Sequence, residues 1–118
     1  MISIPDEMRR KAAGLPAPCM EIETYTQPHT LSVILPSGDS WTIPWSRFAR
    51  AHHHGEEVTL LFSDAKVVIS GQNLKDVMAE AAQMRIDYLR TMPDTYRPVL
   101  PAEEPFISKI EVQFSQPR

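Results

Sequence analysis

Hydrophobic and polar positions alternate with a period of two in several stretches of this chain and with a helical period in one. Leu31, Val33 and Leu35 share one face of residues 29–35, Val58, Leu60 and Phe62 share one face of 58–62, and Val67 and Ile69 do the same in 65–69. Successive side chains of a strand point to opposite faces of the sheet, so this pattern predicts half-buried strands. Pro36-Ser37-Gly38-Asp39 separates 29–35 from 40–43, and Ser63-Asp64 separates 58–62 from 65–69. Both are turn sequences, and they predict two hairpins. Residues 20–25 alternate weakly, as in an edge strand. Near the end, Ile110, Val112 and Phe114 alternate with Lys109, Glu111 and Gln113. One apolar face and one charged face predict an edge strand over 107–114, within a terminal segment 107–116.

The period changes at Asn73. Asn73 is a natural N-cap with Asp76 three residues on, and Leu74, Val77, Met78, Ala81, Met84, Tyr88, Leu89 and Met92 fall on one stripe at helical spacing. Pro93 would end the helix. The expected fold is therefore α+β. It consists of a small antiparallel sheet of about five strands, two hairpins plus the C-terminal strand, covered on one face by one long amphipathic helix over 73–92. Leu60, Val67 and Leu74 are expected to lie buried beneath that helix.

The length of 118 residues fits one domain, 1–118. Residues 1–19 divide into a short helix over 3–13 and a proline-rich linker, 20–92 hold the sheet and helix, and 93–106 form an extended arm with four prolines. Between the hairpins, Pro44 begins a helical turn that His52-His53-His54-Gly55 ends. The expected placement of the histidines is a solvated loop.

Composition narrows the function classes. The net charge of −3 and a pI near 5.8 speak against nucleic acid, whose binders carry a basic patch. No apolar run approaches the roughly 20 residues of a membrane span. A single cysteine, Cys19, rules out an intramolecular disulfide and points to a reducing cytoplasm.

Candidate chemistry is sparse. Three adjacent histidines, His52, His53 and His54, are weak metal ligands because neighbouring residues point in different directions, so neither a metal nor another cofactor is expected. Trp45, with Arg47 and Arg50 beside it, is the candidate lining of a ligand pocket. Arg85 sits in the middle of the apolar stripe, where it is expected to snorkel past the end of the sheet or to pair with a carboxylate, Glu103 or Glu104; the alternative is a ligand-binding or interfacial role. No nucleophile elbow, phosphate loop or dinucleotide fingerprint is present.

Ile34, Leu61 and Val68 lie on the opposite parity of the strands, a face that one helix leaves bare. With Ile110 and Val112 of the terminal strand they form the expected interface of a homodimer or of a complex with another protein. The function expected is a non-catalytic protein-binding or self-assembly module. The alternative is a small-ligand sensor or small enzyme with its pocket at Trp45, Arg47, Arg50 and His52–His54.

Overall fold

The period-two stretches do form strands, and there are more strands than the pattern announced. The structure, a computed structural model, describes residues 17–115; the expected helix over 3–13 lies outside them. Eight strands run in the order β1 Met20–Ile22, β2 Thr30–Ile34, β3 Ser40–Pro44, β4 Phe48–His54, β5 Glu57–Phe62, β6 Ala65–Gln72, β7 Ile86–Arg90 and β8 Phe106–Phe114. Among the described residues one helix, α1 Lys75–Ala82, stands between β6 and β7, and short 3-10 turns cover Trp45–Arg47 and Asp94–Val99.

The strands make two four-stranded sheets, β1-β7-β2-β3 and β4-β5-β6-β8. Every neighbouring pair is antiparallel except β2 and β7, which run parallel. Both expected hairpins are present, as β2–β3 and β5–β6. Gly38, with φ +92°, supplies the left-handed residue that the β2–β3 turn needs.

The α+β expectation of one five-stranded sheet under a long helix is overturned. The protein is mostly β, and the helix spans only Lys75–Ala82. It ends in a Schellman turn: the Met84 N–H donates to the Ala81 carbonyl and the Arg85 N–H to the Glu80 carbonyl, with Met84 at φ +54°. A glycine normally occupies that position, and its absence hid the stop signal. The residues beyond it then become β7. Ile86 and Leu89 are both fully buried and stand three apart, a spacing that fits a helix stripe. The strand reaches the same spacing through a register shift against β1, where Ile22 faces Ile86 but Glu21 faces Tyr88, so Asp87 is an extra residue.

Asn73 does not cap the helix; Leu74 holds the N-cap position without a side-chain bond. Asn73 is left-handed, at φ +57°, and its side-chain amide donates to the Ala102 carbonyl at 2.8 Å, tying the proline-rich arm to the end of β6. The histidines also differ from expectation. They belong to β4, an edge strand, and not to a loop.

The two sheets enclose one apolar cluster that includes Leu31, Val33, Leu60, Val67, Leu74, Val77 and Ile107. β8 links them. At its start the Ile107 N–H donates to Cys19 Sγ and the Met92 N–H donates to the Ile107 carbonyl, next to β1 and β7. At its end Phe114 rests on Trp41 of β3, the opposite edge of the first sheet. β8 therefore runs from one edge of the first sheet to the other. Each sheet covers the inner face of the other, while Ile34, Leu61 and Val68 lie half-buried on the opposite, outer parity.

Candidate functional site

The side chains singled out in the sequence are not brought together. Trp45 is buried at 3% exposure; its indole N–H donates to the Ile86 carbonyl at 2.9 Å, and Phe48 and Phe62 pack on its ring. It locks β7 to the core. Arg47 is paired with Asp64 of the β5–β6 turn. Arg50 is exposed on β4. Arg85 pairs with Glu80, its guanidinium 2.9 Å from Oε2 and 3.0 Å from Oε1. Glu103 and Glu104 are not its partners.

The histidines alternate across β4. The rings of His52 and His54 stack on one side with centroids 6.4 Å apart, while His53 Nε2 lies 3.0 Å from the Gly55 carbonyl. Among the described residues no three His, Cys, Asp or Glu side chains converge as a metal site. Zinc titration is expected to leave the melting temperature unchanged. A sub-micromolar site saturated a hundredfold above its Kd would add about 2.7 kcal/mol, a rise of roughly 10 °C for a domain of this size. A rise of that size, lost when the three histidines are replaced, would establish a metal site.

The expected interface residues are also divided. Leu61 and Val68 are half-buried on the outer face of the second sheet, whereas Ile34 belongs to the first sheet. Ile110 faces Ile69 and Val112 faces Val67, both fully buried. These two therefore point into the core. The five residues form no single patch.

Two features of the surface have the makings of a site. One is a polar cavity of about 400 Å³ at the end of the second sheet. It is lined among others by His54, Glu57, Ser70, Gln72, Ser108 and Arg97. The Ser108 hydroxyl is held by the Ser70 carbonyl, and the Arg97 guanidinium lies 4.6 Å over the Phe106 ring and bonds to Asp94.

The other feature is aromatic. Trp41 and Phe114 are each 45% exposed, with ring centroids 4.8 Å apart and tilted by 58°. Trp41 pairs with Val33 and Ile43 pairs with Leu31 in the same ladder, so Trp41 has the core-facing parity. It stays exposed at the end of the sheet, one position from the β2–β3 turn, where its ring meets Phe114 at the end of β8. Parity was readable in the sequence. The position of Trp41 at the rim depends on how the sheets pack.

No helix among the described residues is long and apolar enough to cross a membrane. Comparison with known proteins finds no matching family model, curated protein or solved structure.

Proposed function

We propose that this chain is a non-catalytic protein-binding or self-assembly module, acting in the cytoplasm, whose docking surface is the Trp41–Phe114 seam. The observation that carries the reading is the pairing of two large aromatic rings that have core-facing parity yet remain nearly half exposed. Tryptophan is the residue most enriched among interface hot spots, because one ring removes a large apolar area from water at little entropic cost. A single cysteine, Cys19, fits the proposed reducing compartment.

Selection of a displayed library of random eight-residue peptides against the domain tests the reading. Enriched peptides should carry apolar residues, bind in the micromolar range and lose at least about tenfold in affinity with Trp41→Ala, since an anchor ring contributes 2 kcal/mol or more. Binders indifferent to Trp41, or no enrichment by a chain that also stays monomeric, would refute it.

The polar cavity beside Arg97 supports a second reading, a sensor for a small polar ligand. Its volume of about 400 Å³ lies in the range of small-molecule sites. Such sites are mainly apolar, however, and this lining is polar and charged. A thermal-shift screen of amino acids, nucleotides and sugars would decide it: a stabilising ligand whose effect is lost in Arg97→Ala would favour the sensor.

A further inference from the structure

The hydrogen-bond register of β3 shows which of its backbone groups are unused. In an antiparallel ladder, hydrogen-bonded pairs alternate with non-hydrogen-bonded ones. Just outside β2–β3, the Leu35 N–H donates to the Asp39 carbonyl and the Trp45 N–H donates to the His29 carbonyl. Both pairs continue the register in which Leu31 faces Ile43 and Val33 faces Trp41. Trp41 and Ile43 therefore bond to β2. Ser40, Thr42 and Pro44 turn their backbone groups the other way, toward the free edge of the sheet. Pro44, which has no N–H to offer, occupies an outward position, where proline is tolerated in a strand.

Natural proteins protect such edges with charge, irregular register or shortness. Among the described residues the other three edges are protected in these ways. β1 has only three residues, one of them Glu21, and a register shift. β4 carries Arg50 and the three histidines and also shifts register. β8 carries Lys109 and Glu111 and shifts as well. The β3 edge is different. Ser40, Trp41 and Thr42 are uncharged, exposed and in unbroken register, and the seam of Trp41 and Phe114 lies beside them.

We infer that two copies of this chain pair antiparallel along β3, with the two-fold axis at Trp41. The inference rests on reading the seam as a docking surface and names its occupant. In this register Ser40 of one copy faces Thr42 of the other. These are the outward residues, so each such pair exchanges both of its backbone bonds. Trp41 then faces its own counterpart in a non-hydrogen-bonded pair, where side chains approach most closely. Each indole brings its Phe114 with it, and the exposed rings of both seams cover one another. The facing positions are neutral and self-complementary, as an isologous contact requires. The same operation on β4 would set Arg50 against His54 and His52 against itself, which disfavours that edge. β3 is short, so the dimer belongs to the weak class of small interfaces, with Kd on the order of 10 μM.

Sedimentation of the full chain across about 1–300 μM should show its mass rising from 13.4 kDa toward twice that value. Trp41→Lys opposes two like charges on the axis, and Thr42→Pro deletes an outward N–H. Each should raise Kd at least tenfold while the emission of buried Trp45 reports an intact fold. Leu61→Lys, on the outer face of the second sheet, should leave Kd unchanged. A readout without substitutions is hydrogen exchange in the unmodified chain, where protection of the Ser40 and Thr42 amides should increase with concentration. A monomer throughout the range overturns the pairing, as does a dimer that Leu61→Lys dissolves or one that leaves those amides unprotected. If the chain stays monomeric yet selects peptides through Trp41, the self-pairing fails and the binding-module reading stands.

Discussion

Gly71→Ala is expected to destabilise the domain by more than about 3 kcal/mol, the upper range for overpacking. A β-carbon at this position would lie 1.9 Å from the Phe106 carbonyl oxygen, 2.9 Å from its carbon and 3.0 Å from Ile107 Cα. All three are backbone atoms, so no side-chain rotation can relieve the clash and β8 itself must move. The register of β6 and β8 shifts at this point, with Gly71 opposite Ile107 and Ser70 opposite Lys109. A displaced β8 would also strain the bonds that Ile107 makes to Cys19 and Met92. Urea unfolding measures the loss. A change under about 0.5 kcal/mol, typical of unconstrained surface sites, would show that β8 does not pass over Gly71.

Leu60→Ala is expected to cost about 2–5 kcal/mol. Leu60 is fully buried in the middle of β5, facing Ala51 on one side and Val67 on the other. A domain of this size has roughly 5–15 kcal/mol in all, so the variant should melt at least about 8 °C lower. An unchanged midpoint would mean that the inner and outer faces of β5 are exchanged.

The candidate site was only partly legible. Trp41 has core-facing parity in the sequence, but nothing local says that β8 ends at its ring. Continuing the stripe as helix to residue 92 offers Arg85 only snorkelling or the carboxylates of the proline-rich arm. Once the chain turns at Met84, Arg85 folds back on Glu80, five residues earlier. The pairing of Trp45 with Ile86 spans forty-one positions of chain and has no local signal at all.

What the sequence determined by itself is the set of strands whose period is unambiguous, β2, β5, β6 and β8, with the inward residues of the first three, and the two tight hairpins. Alternation and turn chemistry act over a few residues, so they are readable without knowing what lies opposite. The tertiary structure decided how these elements combine. Residues 86–90 offer a spacing that a helix and a bulged strand satisfy equally, and their place between β1 and β2 is made by segments far away in the chain. The packing of the sheets turned Ile110 and Val112 inward and left Trp41 at an open, uncharged edge. Burial and edge exposure depend on the segment that packs opposite, and distant segments meet only in the folded chain.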